Sequence, residues 1–191
     1  MILKEYLMQQ VKPLTLWRKY LNNYKIDSNL KHDSYALKCC TLALEAAESG
    51  NVGVGAILLD QYDNVVIQGK NSIFSNGFHS DLHAEMVVMN SFEKKQTDRL
   101  NLSGYTLFSS LEPCPMCLVR LIFSGIGRVF FVCPDNDGGM VRHIKNLPPI
   151  FQKFIRNQQQ IWSEAVCSDD LKNMSNQIWI YSRRLLDQIF E

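Results

Sequence analysis

Four short segments with the composition of buried strands most constrain how this chain can fold. They cover residues 54–59, 65–69, 105–111 and 128–133. The turn formers at 61–64 join the first two segments, which predicts a β-hairpin. Helical patterns separate the remaining segments, and strands that alternate with helices are typical of layered α/β domains.

The helical patterns predict a layer of helices on each side of the sheet. The most regular one follows Asp33 and Ser34, which can begin a helix, and stops at Gly50. Others cover residues 81–95 and 115–124, and helical spacing resumes near 150–161 and 178–190. The resulting order predicts a three-layer α/β/α sandwich around a central mixed β-sheet.

The first thirty residues have apolar positions at helical spacing, interrupted by Pro13. We expect one or two short helices there, forming an N-terminal helical extension over 1–30 that packs on a domain over 31–191. A docking or regulatory segment is the alternative. We expect this domain to include the C-terminal helices.

The composition excludes several broad classes. The chain has 191 residues, 46% hydrophobic and 20% charged, with a formal net charge of +1, so no global field favours nucleic acid or membrane. No apolar run approaches the length of a membrane span, and the N-terminus lacks a signal-peptide core. Six cysteines are too few for a disulfide scaffold in a chain of this size. We therefore expect a cytoplasmic protein without a membrane partner.

Two cysteines three positions apart carry the first chemical signal. Cys114 and Cys117 lie in Pro113-Cys-Pro-Met-Cys, and Pro113 suits the first turn of a helix. A helix N-terminus favours thiolates, which zinc binds readily. A C-x-x-C pair alone is equally typical of a redox motif or of half a structural zinc site.

A histidine earlier in the chain can complete a metal site. The chain has four histidines, and His83 is accompanied by Glu85 at the start of a predicted helix. Parallel helices on one face of a sheet would bring His83, Cys114 and Cys117 together at one sheet edge. Three protein ligands leave the fourth zinc position open, as in catalytic sites. Glu85 could then act as the general acid and base for a water there.

These motifs resemble those of the cytidine-deaminase-like zinc deaminases, whose signature pairs His-x-Glu with Pro-Cys-x-x-Cys. Residues 106–117 and 124–131 are most similar to the branch that holds tRNA adenosine deaminases and guanine deaminases. The similarity covers about 33–135. It implies that Cys114, Cys117 and His83 bind zinc and that Glu85 is a catalytic residue. It also implies substrate contacts from Asn71, Val54, Gly55 and Ala84, including backbone N–H groups at Ala84 and Cys114.

The resemblance implies hydrolytic deamination of a nucleobase or nucleoside, and we favour a purine. The tRNA enzymes usually have a lysine shortly after the fourth strand, whereas residues 134–139 here read Pro-Asp-Asn-Asp-Gly-Gly. A tRNA adenosine-to-inosine deaminase is therefore the alternative, with tRNA as its partner. A zinc-stabilised binding module without catalysis is a second alternative. RNA binding through the later basic residues is a third. Members of this branch commonly form homodimers, which we expect here.

Overall fold

The structure, a computed structural model, describes residues 2–95 and 102–190. Six α-helices, five strands and a short 3₁₀ helix follow one another within this part of the chain. In chain order they are α1 (Ile2–Asn23), α2 (Asp33–Glu48), β1 (Gly55–Leu59), β2 (Val65–Lys70), α3 (Ala84–Lys95), β3 (Thr106–Leu111), α4 (Pro115–Ser124), β4 (Arg128–Cys133), the 3₁₀ helix (Val141–Asn146), α5 (Pro149–Asn157), β5 (Ile161–Glu164) and α6 (Asp169–Phe190).

The strands form one mixed sheet in the order β2-β1-β3-β4-β5. The hairpin partner β2 and the central β3 both run antiparallel to β1, whereas β3, β4 and β5 are mutually parallel. The predicted fold class is confirmed. The parallel pair β3 and β4 brings the carboxyl ends of two strands to the edge at which α4 begins.

Side chains alternate between the two faces of β1. Ile57 and Leu59 pack into a core with α2 and α6, whereas Ala56 and Leu58 belong to the core beneath α3. Every residue of β1 is buried, as expected for a strand covered on both faces. Gly55 allows α2 to cross closely, because a Cβ there would lie 2.4 Å from the Cβ of Leu42.

Three regions differ from the sequence prediction. The last helix begins at Asp169 instead of near residue 178. The first segment forms a single 22-residue helix that continues through Pro13. The helix near residue 150 ends at Asn157 instead of 161, because Gln159 adopts a left-handed φ of 52° and turns the chain into β5. The β5 strand then pairs with β4 as the fifth strand of the sheet. The proposed division between 1–30 and 31–191 stays a prediction.

None of the described helices has a stretch both long and apolar enough to pass through a membrane.

A buried histidine joins the start of α2 to the segment before α6. The Nδ1 atom of His32 accepts a hydrogen bond from the backbone N–H of Val166 at 3.0 Å, and its ring packs against Phe108 and Phe130. Burial lowers the pKa of His32. Because a protonated ring could not accept this hydrogen bond, the folded state favours the neutral form.

We expect His32 to make the protein less stable in mild acid. Since its folded-state pKa is lowered, the unfolded chain takes up the proton first as the pH falls below about 6.5, and stability decreases until the pH passes the folded-state pKa. The substitution His32→Asn keeps an acceptor but removes the titration. Urea unfolding at pH 7.5 and pH 5.5 should therefore show a smaller loss of free energy for the variant, and an equal loss would contradict this assignment.

Candidate metal centre and substrate pocket

The starts of two helices bring three metal-ligating side chains together. His83 directly precedes α3, and Cys114 and Cys117 lie before and within the first turn of α4. The Nδ1 atom of His83 lies 3.6 Å from the Sγ atom of each cysteine. All three donor atoms lie within 4.8 Å of one another. The predicted meeting of the two helix N-termini is therefore present.

The spacing of these atoms fits a zinc ion. Zinc–sulfur bonds of about 2.3 Å and zinc–nitrogen bonds of about 2.05 Å, at a tetrahedral angle, would separate nitrogen from sulfur by about 3.6 Å. Both nitrogen–sulfur distances have this value. Cys114 also favours the thiolate, because hydrogen bonds from the Cys117 side chain and then from His83 lower the pKa of Cys114 to about 4. One imidazole and two sulfurs form a ligand set typical of zinc.

Glu85 lies next to this triad and is buried, with 4% of its surface exposed. Its Oε1 atom accepts a hydrogen bond from the Ser109 hydroxyl at 3.1 Å, and its Oε2 atom lies 3.6 Å from the Sγ atom of Cys117. Burial raises the pKa of Glu85. Its position in the first turn of α3 aims the carboxylate at the metal centre from a different angle than His83.

A pocket with about 450 Å³ of empty volume opens onto these groups. Polar and metal-ligating side chains form one part of its lining, and apolar side chains from several elements form the rest. The lining residues are Val52, Val54, Asn71, Ile73, His83, Glu85, Leu111, Glu112, Cys114, Asp135, Trp179 and Leu186.

The predicted substrate contacts divide into two pairs. Asn71 and Val54 line the pocket, and the Asn71 carboxamide oxygen accepts a hydrogen bond from the backbone N–H of Ile73 at 3.2 Å. Gly55 and Ala84 are absent from the lining formed by the described residues. The Gly55 α-carbon faces α2, and its N–H donates to Ser110. Their roles in substrate binding stay predictions.

Glu112 anchors the loop that follows β4. Its side chain is fully buried and accepts hydrogen bonds from the backbone N–H groups of Asp135 and Arg142 and from Nε of Arg142, the last at 2.8 Å. Arg142 also donates to the backbone oxygen of Asp135 at 2.7 Å. Arg142 is exposed, with 39% of its side-chain surface accessible, while its guanidinium pairs with this buried carboxylate. Glu112 thereby holds Asp135 at the pocket.

We expect Arg142→Ala to destabilise the protein by about 2 kcal/mol, because it removes a charged hydrogen bond from a buried carboxylate that keeps only its two backbone donors. Chemical denaturation should measure this loss. The exposed Arg156 on α5 supplies the matched control, and Arg156→Ala should change the stability by less than about 0.5 kcal/mol. Equal losses in the two variants would contradict the role of Arg142.

Several residues in the pocket or next to it could not be identified from the sequence. Trp179 and Leu186 lie on α6, more than sixty residues after Cys117, and look like ordinary apolar positions of an amphipathic helix. Ser109 is one of two adjacent serines in a buried strand. The available signal for Glu112 was its place directly before Pro113, which suggested either a role behind the metal ligands or a backbone hydrogen bond.

Comparison with known proteins agrees with this geometry. The family model for the cytidine and deoxycytidylate deaminase zinc-binding region matches residues 30–133. A tRNA-specific adenosine deaminase from Bacillus subtilis is 33% identical over 105 residues, which cover 55% of this chain and 63% of that protein. A tRNA-specific adenosine deaminase from Buchnera aphidicola is 30% identical over 145 residues, which cover 75% of this chain and 92% of that protein.

A solved structure shows the same fold. Guanine deaminase from Nitrosomonas europaea superposes with a TM-score of 0.59 at 18% identity, covering 84% of this chain and 91% of that one. The matched region contains His83, Glu85, Cys114 and Cys117. The chain therefore belongs to the cytidine and deoxycytidylate deaminase zinc-binding family.

Proposed function

We propose that this protein hydrolytically deaminates a purine base, either free or in a nucleoside. The observation that carries the proposal is the buried carboxylate of Glu85, which lies beside the proposed zinc ligands and lines a pocket with both polar and apolar side chains. A purely structural zinc site would have no use for this carboxylate. In the reaction, water attacks the ring carbon that carries the amino group. The amino group leaves as ammonia, and the ring carbon gains an oxygen.

Each side chain has a separate task in this scheme. His83, Cys114 and Cys117 would hold zinc, which when bound supplies the Lewis acidity that activates water. Glu85 accepts the proton of the attacking water and returns protons to the ring nitrogen and the departing amino group. Ser109 fixes Oε1 of this carboxylate, which leaves Oε2 on the side of the metal centre.

The pocket lining supports a flat substrate with both donors and acceptors. Because the Asn71 oxygen is occupied by the backbone of Ile73, its NH₂ group is suited to donate to a ring nitrogen or carbonyl. Asp135 can accept from an amino or imino group on another edge of the base. Val52, Ile73 and Trp179 provide apolar surface for the ring faces.

A substrate screen tests the proposal. Zinc-loaded protein is incubated with guanine, adenine and cytosine, with their nucleosides and with bulk tRNA, and ammonia and the oxo product are measured. We expect release from at least one purine base or purine nucleoside. A protein that holds one equivalent of zinc and deaminates nothing in the panel would favour the zinc-stabilised binding module instead.

Deamination of adenosine in tRNA is the second candidate, supported by the identity to tRNA-specific adenosine deaminases. The charges near the pocket favour it less. Arg142 is paired with Glu112, and Arg183 of α6 is paired with Asp137, so neither guanidinium is available to a phosphate without breaking an ion pair. Inosine formation in tRNA, with no turnover of bases or nucleosides, would establish this alternative.

We also infer a homodimer in the cytoplasm. The outer face of α4 exposes Met116 and Phe123, the latter by 59% of its surface, which supports burial against a second copy. The six cysteines are free thiols, which supports a reducing compartment. Light scattering coupled to gel filtration should give twice the mass of one chain.

A further inference from the structure

The helix α6 forms one wall of the pocket through Trp179 and Leu186. It is anchored to the sheet by Ser175, whose hydroxyl donates to the backbone oxygen of Ser110 at 2.6 Å, and by Ser182, which accepts from the backbone N–H of Gly53 at 2.7 Å. A Cβ at Gly53 would lie 2.5 Å from a methyl carbon of Ile178, so the helix fits closely against the chain before β1.

A different side of α6 meets the N-terminal helix. The ring of Trp17 packs edge-on against Tyr181 with centroids 5.5 Å apart, and the Tyr20 hydroxyl donates to the Asp170 carboxylate at 3.0 Å. Just after α1, the Tyr24 hydroxyl lies 2.6 Å from Oγ of Ser168, which precedes α6. Trp17 and Tyr20 are three positions apart on one face of α1, and Tyr24 follows directly after the helix ends.

Asp33 connects the chain just after α1 to the segment that precedes α6. Its buried carboxylate accepts from the Tyr24 hydroxyl and from the backbone N–H of Ser168, both at 2.9 Å. The Oγ atom of Ser168 in turn accepts from the backbone N–H of Leu171 in the first turn of α6. The N-terminal segment is thus connected to α6 at its beginning and again at Tyr181, which lies between the two pocket residues of this helix in the sequence.

We propose that Trp17, Tyr20 and Tyr24, named here the N-terminal brace, act as positioning residues that hold the α6 wall against the substrate. Both the brace and α6 lie outside residues 30–133, the part matched by the family model. The brace residues are absent from the pocket lining, so their effect reaches the substrate through the placement of Trp179 and Leu186. This inference rests on the proposed function for its kinetic consequence.

The test uses the full chain and the substitution Trp17→Ala. Loss of the aromatic contact should loosen α6 and raise KM about 3- to 10-fold for the best substrate of the screen. Since the lost contact affects binding and not the reacting atoms, kcat should stay within about two-fold of the wild-type value. Tyr20→Phe removes a single hydrogen bond and should raise KM in the same direction by a smaller factor.

Two variants on α1 serve as controls. Leu16→Ala removes an apolar side chain that is 60% exposed, next to Trp17, and should keep the wild-type KM. Trp17→Phe retains a ring against Tyr181 and should return KM to within about two-fold of wild type. Assays are normalised to bound zinc and run well below each melting temperature, so that unfolding does not mimic the effect.

Hydrogen exchange supplies a readout that needs no substrate. Backbone amides of residues 176–184 should exchange faster in Trp17→Ala than in Leu16→Ala, while those of α4 stay unchanged. Equal exchange in the two variants would overturn the brace whatever the enzyme activity. Faster exchange with an unchanged KM would also overturn it, because α6 would then be held for stability alone. An inactive wild type would contradict the proposed function, and the exchange rates alone would then decide whether the brace holds α6.

Discussion

Replacing Glu85 with glutamine should reduce ammonia release by at least about 100-fold, and by as much as about 10⁴-fold, while the protein keeps its zinc and its fold. Glutamine has nearly the same shape but cannot take a proton from water. Its amide can still receive the hydrogen bond of Ser109 through its oxygen, so the packing of α3 should be preserved. Initial rates and zinc content, measured on the same preparation, check this expectation.

The matched control is Glu93→Gln, the same chemical change on the same helix. Glu93 is half exposed and pairs with Arg120 at 2.8 Å, away from the pocket lining. An exposed ion pair contributes little to stability, so this variant should retain nearly full activity. If the activity of Glu85→Gln stayed within about five-fold of wild type, this would contradict the assignment of Glu85 as the proton carrier.

The second large effect is expected from Cys117→Ser. A hydroxyl is a much poorer zinc ligand than a thiolate, and Cys117 is the buried member of the three ligands. Changes to groups that merely orient zinc ligands already cost about 10- to 100-fold in affinity, so loss of a ligand should cost more than about 100-fold. Zinc content after dialysis against a weak chelator should fall well below one equivalent, and activity should fall with it.

Another buried thiol provides the comparison for this variant. Cys167 is 6% exposed and lies between β5 and α6, outside the three-residue metal cluster. Cys167→Ser should lower stability modestly but keep a full equivalent of zinc. If both serine variants kept zinc equally well, Cys117 would not be a ligand, and if both lost it, the loss would reflect unfolding.

The sequence predicted the architecture well because its strands and helices are each marked by local chemistry. The α4 helix begins at Pro115, directly after Cys114, and ends at Ser124, followed by Gly125, whose φ of 70° suits glycine. Prediction failed at β5, where four residues with a largely exposed pattern become a strand by pairing with β4. Such pairing is a tertiary effect that local spacing does not encode.

The difference between local chemistry and tertiary contacts also explains which site residues the sequence revealed. His83, Glu85 and Cys114 carry unusual chemistry in short motifs, and their side chains meet as expected. Trp179 and Leu186 belong to no chemically distinctive motif, and only the path of α6 brings them to the pocket. The pairing of Arg142 with the buried Glu112 was not foreseen for a related reason, since the two residues lie 30 positions apart.

The order of the elements along the chain has a consequence for biosynthesis. All three proposed zinc ligands precede residue 118, whereas α6 begins at Asp169, more than fifty residues later. During synthesis, the metal-binding part of the sheet therefore leaves the ribosome well before the helix that completes the pocket. A nascent chain could acquire its metal while the substrate site is still open on one side, so that metal loading and the onset of activity become separate events.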